Sequence, residues 1–434
     1  MEHTGKLYDL AIVGGGLAGV VALAYARRAG LEAIVLERQA RVGGLWRDLP
    51  AWQDIQISPA DWTLGDLPLA GATQPHVLAN IEAWVERFGL ADGIELNAPV
   101  QQARASGSGW EVVTPRGMVR AKHLIAATGA HNTAFIPPVA RSQSTASTVS
   151  EFHSSALRDV ALLTGRDVLV VGGGASAFDL LDLCFAHGAR RVAWVYRGLR
   201  WFTPSRKPKH IAGSVRGFAR MQASGMTAAA QSAAICADMR SRYEKFGISE
   251  IMPTHEFDVR HDQLVPGRHG MLENFASIER HRGTVASIEG RSVTLDNGCR
   301  FEADLLLWGT GYSVDLSYFE SPEIASIRTL EALRARCGCI FRSLDAANLY
   351  FPSVGLDGIG SAPWAYSLLF RSIVSHIVGT AQLDNQPVGH NINHFDLVGH
   401  LAPRDAASYP PDSWRAYYRA LALDTPDDQP YPIP

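Results

Sequence analysis

Two glycine-rich turns carry the clearest chemical signal in this sequence: Gly14-Gly15-Gly16-Leu17-Ala18-Gly19 and Gly172-Gly173-Gly174-Ala175-Ser176-Ala177. Each turn follows a short apolar run and precedes a stretch in which apolar residues recur with helical spacing. Between a strand and a helix, such glycines let a pyrophosphate approach the backbone N–H groups at the helix N-terminus. Two of these turns in one chain predict two bound dinucleotides and a transfer of electrons between them.

The first turn has the features of an FAD or NAD site. Gly14 is expected to make the tight turn, Gly16 to let the backbone approach the pyrophosphate, and Gly19 to allow close packing of the helix on the strand. A second apolar run over 33–36 ends at Glu37. A carboxylate there suits hydrogen bonds to a ribose diol and repels a 2′-phosphate. This turn therefore predicts FAD or NAD rather than NADP.

The second turn has the features of an NADPH site. Gly172 and Gly174 repeat the geometry of the first turn, and Ser176-Ala177 stands in place of the third glycine. Arg197 ends the following apolar run, at the position that a carboxylate holds in the first unit. A guanidinium there can pair with a 2′-phosphate through two hydrogen bonds, and Arg200 is a candidate to share this role. The alternative for Arg197 is a solvated charge at the end of a strand.

Three further segments resemble the flavin-containing monooxygenases and their Baeyer–Villiger relatives: Arg41-Val42-Gly43-Gly44-Leu45-Trp46, Leu124-Ile125-Ala126-Ala127-Thr128-Gly129, and 304–312 with its Gly309-Thr310-Gly311 turn. The resemblance implies that the Gly44-Leu45-Trp46 loop lies against FAD, whereas the residues alone also allow an ordinary glycine turn with a core tryptophan. It also implies that Thr128, Gly129 and Gly311 lie where the backbone passes close to a cofactor.

The same resemblance implies a class B flavin monooxygenase. In that reaction NADPH reduces FAD, O₂ adds to form a C4a-(hydro)peroxyflavin, and a small-molecule substrate undergoes N-oxygenation, S-oxygenation or Baeyer–Villiger insertion. Asp54 resembles the active-site aspartate of Baeyer–Villiger enzymes, and the turn at Gly355 is expected to approach the pyrimidine end of the isoalloxazine. The alternative is an NADPH-dependent flavin reductase or electron-transfer flavoprotein that serves a protein partner.

Half of the fingerprint that these enzymes carry before the NADPH strand is present. His153-Ser154 matches its second half, but Ser147 and Val149 stand where the fingerprint has Phe and Gly. In the family this histidine couples the two cofactor domains. Because the first half of the fingerprint is missing, a capping or surface histidine is the alternative interpretation.

The predicted fold is α/β, with two Rossmann-like dinucleotide-binding domains in which an FAD domain contains an inserted NADPH domain. The expected boundaries are 1–150 for the first part of the FAD domain and 151–299 for the NADPH domain. Residues 300–434 are expected to form the second part of the FAD domain and a C-terminal arm. Residues 198–262 are least like a Rossmann element, and they are interpreted either as a lid over the flavin or as a helical insertion packed on the sheet.

Composition and charge exclude several other classes of protein. Of 434 residues, 47% are hydrophobic and 19% are charged, which is enough to bury substantial cores. A net charge of −3 gives no field for holding nucleic acid or an anionic membrane. The first apolar run, Leu10–Val13, is too short for a signal sequence or a membrane span, so we expect a cytoplasmic protein. Cys337-Gly338-Cys339 is the one close cysteine pair among five cysteines, and neither a disulfide framework nor a metal site is predicted.

Overall fold

The computed structural model describes residues 6–55, 62, 67, 69–141, 148–204, 226–258, 262, 264–352, 362–380 and 385. The chain divides into two compact units. The first unit is drawn from the ranges 1–132, 211–228 and 313–434, and the second from 133–210 and 229–312. Each unit contains a sheet of its own, built around parallel strands.

A strand, a helix and a second strand follow one another at each glycine turn, as is typical of an α/β protein, and runs of consecutive strands lie between these units. The strands are β1 Leu7–Val13, β2 Ala33–Leu36, β3 Ile94–Glu95, β4 Gln102–Ser106, β5 Gly109–Thr114, β6 Gly117–Ala126, β7 Thr133–Ala134, β8 Ala140–Arg141, β9 Ser150–His153, β10 Asp167–Val171, β11 Arg191–Tyr196, β12 Phe202–Thr203, β13 Val265–Pro266, β14 Ile278–Arg282, β15 Val285–Glu289, β16 Ser292–Leu295, β17 Arg300–Glu302, β18 Leu305–Trp308, β19 Tyr312–Ser313 and β20 Leu349–Tyr350. The α-helices are α1 Leu17–Arg28, α2 Leu45–Asp48, α3 Gln74–Arg87, α4 Ala175–Ala186, α5 Ala228–Lys245, α6 His269–Glu273, α7 Pro322–Ala325, α8 Leu330–Arg334 and α9 Ala362–Ile377.

The sheet of the first unit has the order β3-β2-β1-β6-β5-β4, with β20 also paired to β6. Strands β3, β2, β1, β6 and β20 are parallel, whereas β4, β5 and β6 form an antiparallel meander. The inner end of β1, Leu10–Val13, is almost completely buried. A parallel strand is covered on both faces, so its sequence is continuously apolar and does not alternate.

The sheet of the second unit has the order β14-β11-β10-β18-β9, and all of its strand pairs are parallel. This arrangement and that of the first unit confirm the predicted fold class. The predicted domain boundary at 299/300 differs from the observed division, because Leu305–Trp308 pairs with Val168–Val171 inside the second sheet. Side chains from β10, β18 and the β15–β17 meander share one buried cluster, and the change between units follows at 312/313.

Helix α5 lies within the segment 198–262, for which a lid or a helical insertion was predicted. Tyr243 of α5 is fully buried and packs against Trp201 and Phe202, with ring centroids 5.9 and 4.9 Å away. This packing favours the interpretation as a helical insertion for the described part of 198–262. The basic stretch 206–210 and the C-terminal arm lie outside the described residues. None of the described helices is both long and apolar enough to cross a membrane.

The free energy of unfolding is expected to fall as the pH drops below about 6.5. Burial, with a smaller contribution from nearby His376, lowers the pKa of His123 on β6 to about 4. Burial also lowers the pKa of His153. A histidine in the unfolded chain titrates near 6.5, so the unfolded chain binds protons that the folded chain excludes, and acid favours unfolding.

For His123 alone, the loss should reach about 1 kcal/mol at pH 5 after allowance for its partial exposure. Urea unfolding at pH 7.5 and pH 5.0 measures it, and His123→Gln should reduce the difference between the two pH values. An equal difference in the variant and the natural chain would assign the acid sensitivity to other groups.

Candidate dinucleotide sites

At Gly14 and Gly19 of the first turn, backbone atoms of the protein lie too close to leave room for a side chain. Gly14 has φ +108°, and a Cβ there would lie 2.6 Å from the carbonyl oxygen of Ala127. A Cβ at Gly19 would lie 1.9 Å from the carbonyl oxygen of Gly14. Any side chain at either position would therefore push α1 or the end of β6 away from β1, as predicted for a tight turn and a close helix–strand contact.

At Gly16, by contrast, a side chain could be added without a clash with the described protein atoms. Its backbone is extended, with φ −77° and ψ −172°. The nearest described atom to an added Cβ would be the Cα of Gly44, at an ordinary contact distance of 3.5 Å. Gly16 is the N-cap of α1, and within the described residues no side chain caps the first N–H groups of that helix. This open helix N-terminus has the geometry of an anion-binding site.

The predicted Gly-Gly-x-Trp loop packs directly on this turn. The Gly43 N–H donates to the carbonyl oxygen of Gly15 at 2.9 Å, and a Cβ at Gly44 would lie 2.8 Å from the Cα of Gly16. Leu45 then begins α2, and the half-buried Trp46 meets Trp62 edge-on with centroids 5.9 Å apart. The loop therefore lies beside the first glycine turn, and its contact with FAD remains a prediction.

The Glu37 carboxylate faces the same turn. It is 3% exposed, accepts a hydrogen bond from the Gly15 N–H at 2.5 Å, and accepts a second from the Gln39 N–H at 2.7 Å. Each carboxylate oxygen can accept more than one hydrogen bond, so the hydroxyls of a ribose can still bind to it. The two hydrogen bonds from backbone N–H groups hold the carboxylate in place beside the turn.

Thr128 and Gly129 lie just beyond Ala126, the last residue of β6, and Gly129 has φ +86°. Their neighbour Ala127 is the residue that contacts Gly14, so the structure brings the predicted turn after β6 to the first glycine turn. Asp54 lies between α2 and α3, where its backbone forms an isolated bridge with Thr73. Its catalytic role stays a prediction. The predicted contact at Gly355 falls outside the described residues.

The second turn repeats the first with one exchange of residues. A Cβ at Gly172, whose φ is +139°, would lie 2.1 Å from the carbonyl oxygen of Gly309. A Cβ at Gly309 would lie 2.7 Å from the backbone N of Ala177. Because Gly309 has no side chain, helix α4 can pack closely against this strand end. This explains why the second turn accepts Ala177 where the first turn has the glycine Gly19. The sequence motif marked Gly309 as part of a strand-end turn but did not predict this packing role.

Gly174 resembles Gly16 in having unused room. The nearest described atoms to an added Cβ would be Cδ and Nε of Arg200, at 3.8 and 4.0 Å. Gly174 is the N-cap of α4 without a side-chain cap among the described residues, and Ser176 lies half-buried in the first turn of that helix. The Arg200 N–H donates to the carbonyl oxygen of Gly173 at 3.1 Å, which fixes this arginine beside the turn.

Arg197 follows β11 and is exposed. Its carbonyl oxygen accepts a hydrogen bond from Nε of Arg282 at 3.4 Å. Arg282 ends β14, the parallel neighbour of β11, so it reaches the same carboxyl edge of the sheet. Sequence reasoning missed Arg282, because its position is meaningful only once β14 is known to pair with β11.

His153 is buried at the end of β9 and ties two loops together. Its Nδ1 accepts a hydrogen bond from the Ser155 N–H at 3.2 Å, so its Nε2–H donates to the carbonyl oxygen of Gly311 at 2.9 Å. Burial lowers the pKa of this imidazole, which keeps it neutral. The capping interpretation is therefore supported, and the same ring also holds the predicted Gly311 turn, whose φ is +79°.

The five cysteines are all free thiols. Cys337 is buried, its Sγ donates to the carbonyl oxygen of Leu333 at 3.3 Å, and burial raises its pKa to about 12. Cys339 is also buried. A thiol that remains protonated is a poor nucleophile, so this pair does not have the character of a redox dithiol.

Comparisons with known proteins place these features in a family context. A family profile described as pyridine nucleotide-disulphide oxidoreductase matches residues 11–244. Flavin-containing monooxygenase 5 of Cavia porcellus is 26% identical to this chain over 384 residues, a match that covers 81% of this chain and 69% of that protein.

Solved structures show the same likeness in three dimensions. The flavin-containing monooxygenase from Stenotrophomonas maltophilia superposes with a TM-score of 0.62 at 18% identity, covering 86% of this chain and 99% of that chain. The structure of OTEMO in complex with FAD and NADP superposes with a TM-score of 0.63 at 14% identity, covering 86% of each chain. These comparisons confirm the resemblance that the sequence motifs indicated.

Proposed function

The chain belongs to the pyridine nucleotide-disulphide oxidoreductase family, and we propose that within it the protein is an NADPH-dependent FAD monooxygenase of small molecules. FAD is assigned to the first unit and NADPH to the second. The fold shared with OTEMO, whose structure contains FAD and NADP, and the sequence similarity to a flavin-containing monooxygenase support this assignment.

One observation carries the proposal. Gly16 and Gly174 each occupy an uncapped helix N-terminus where the protein would accept a Cβ, so a bound phosphate explains both glycines better than packing does. The two sites differ in the charge of the residue that follows the second strand of each unit, which is β2 at the first site and β11 at the second. Glu37 stands at the first site and Arg197 at the second, which fits a ribose diol at one and a 2′-phosphate at the other.

The chain's own residues bind and orient the two nucleotides. The flavin, when bound, supplies electron transfer from NADPH and the reaction with O₂. Glu37 holds the ribose end of FAD, and the N-terminus of α1 holds its pyrophosphate. The neutral His153 fixes the Gly311 turn of the NADPH unit. Asp54 is the candidate side chain for contact with the substrate.

The reaction is tested with ¹⁸O₂. Purified protein, NADPH and a panel of amines, thioethers and ketones are incubated under ¹⁸O₂, and products are analysed by mass spectrometry. We expect one ¹⁸O atom per product molecule and less hydrogen peroxide than NADPH consumed. The class of substrate that gains the label separates N-oxygenation, S-oxygenation and Baeyer–Villiger insertion.

A flavin reductase or electron-transfer flavoprotein is the alternative function. It would oxidise NADPH with the panel present, but it would incorporate no label and would release peroxide equal to the NADPH consumed. That outcome would replace the monooxygenase proposal. A cytoplasmic location stays a prediction from the sequence.

A further inference from the structure

Tyr318, which follows β19 in the first unit, has a buried hydroxyl with no hydrogen-bond partner among the described residues. Its oxygen is sealed from solvent, and none of the described protein atoms forms a hydrogen bond with it. The side chain of Thr128 interacts with this hydroxyl without reaching hydrogen-bond geometry. Burial raises the pKa of this phenol, so the hydroxyl keeps its proton and remains a donor.

The segment that carries Tyr318 is held by contacts of its backbone and of its ring. The carbonyl oxygen of Tyr318 accepts a hydrogen bond from the Ala103 N–H at 2.7 Å, and its ring lies 4.6 Å from that of Phe319. Just before it, the Asp315 N–H donates to Oδ1 of Asn132 at 3.1 Å. The segment that carries Tyr318 is therefore tied to β4 and to the loop that follows Thr128.

A buried donor without an acceptor destabilises a folded protein, since it loses its hydrogen bonds to water and gains none in return. Such a group is explained when a ligand supplies the acceptor. Thr128 belongs to the turn that reaches Gly14, at the carboxyl ends of β1 and β6. In an open α/β sheet, ligands bind at this edge.

We propose that the Tyr318 hydroxyl donates a hydrogen bond to an oxygen of the bound flavin nucleotide. This inference rests on the proposed function, which assigns FAD to the first unit. Tyr318 would then be a binding residue of the FAD site, found through its unpaired hydroxyl and not through any glycine motif.

Tyr318→Phe tests the proposal because it should change the apoprotein and the FAD complex in different ways. In the apoprotein it removes an unpaired donor, so the melting temperature should stay the same or rise. In the complex it removes a hydrogen bond, so the dissociation constant for FAD should rise about tenfold. Thermal unfolding of the apoprotein and titration with FAD, followed by quenching of flavin fluorescence, give the two values.

Tyr350→Phe is the matched control. Tyr350 is a buried tyrosine of the same unit, and its hydroxyl lies 3.5 Å from Nδ1 of His123 instead of facing the turn. FAD affinity should be unchanged in this variant. If Tyr318→Phe binds FAD as tightly as the natural chain, or lowers the melting temperature of the apoprotein, the inference is wrong while the proposed function stands. If the natural chain itself does not bind FAD, both are wrong.

Discussion

Gly16→Val is expected to raise the dissociation constant for FAD at least about a hundredfold while the apoprotein stays folded. The physical reason is that the space beside Gly16 can hold a side chain in the apoprotein but would be filled by the pyrophosphate in the FAD complex. An added Cβ would meet the Cα of Gly44 at 3.5 Å, and the extended backbone at Gly16 accepts an L-residue without strain. A bound pyrophosphate would need that same space.

Gly19→Ala is the matched comparison. Its Cβ would lie 1.9 Å from the backbone oxygen of Gly14, so the variant should lose stability whether or not FAD is present. Far-UV circular dichroism and thermal unfolding of both apoproteins, with FAD titrations of Gly16→Ala and Gly16→Val, separate the two causes. Gly16→Ala should fall between the natural chain and Gly16→Val in affinity. Full FAD occupancy in purified Gly16→Val would remove the basis for placing a phosphate at this turn.

The local spacing of apolar residues and glycines was sufficient to predict both nucleotide-binding units. Ala33–Leu36 forms a strand with the bounds of the apolar run that the sequence shows, and Asp167–Val171 forms the strand directly before the second glycine turn. These elements are short apolar runs bounded by glycines, and a buried parallel strand has that pattern wherever it lies in a chain. The antiparallel meander around 107–117 was predictable for the same reason, because its turn residues are local.

Pairing between distant segments was not predictable from spacing. Nothing near 305–308 shows that this strand lies between β10 and β9, so the predicted boundary at 299/300 assigned it to the other domain. The role of Gly309 has the same origin, since it depends on the backbone of Ala177 more than a hundred residues away. The Tyr318 hydroxyl, which has no hydrogen-bond partner among the described residues, could be found only from the positions of residues distant in sequence.

The same limit applies to the coenzyme site, where sequence alone named Arg197 and Arg200. The fold adds Arg282, because β14 runs parallel to β11 and their carboxyl ends meet. Arg197 and Arg282 are exposed and joined through the Arg197 carbonyl oxygen, and Arg200 is fixed at the turn by its own N–H. A 2′-phosphate at this edge would therefore bind guanidinium groups from two neighbouring strands and one loop.

Arg197→Ala is expected to reduce kcat/KM for NADPH about tenfold to a hundredfold while that for NADH changes little. A charge-assisted pair of an arginine with a phosphate contributes ~1.5–3 kcal/mol, and NADH lacks the phosphate. Arg282→Ala should act in the same direction with a smaller effect, because its Nε already donates to the Arg197 carbonyl oxygen. Steady-state kinetics with both coenzymes at two salt concentrations measure these changes, and added salt should weaken NADPH binding more than NADH binding.

Arg190→Ala is the control for this experiment. Arg190 precedes β11 as Arg197 follows it, so it lies at the opposite edge of the sheet, where it pairs with Asp167 at 2.7 Å. Its removal should leave the ratio of NADPH to NADH use unchanged. Equal losses with both coenzymes in Arg197→Ala would mean that this arginine supports the end of β11 instead of reading the phosphate. The preference for NADPH would then have to come from Arg282 or from Arg200, whose side chain already lies at the Gly174 turn.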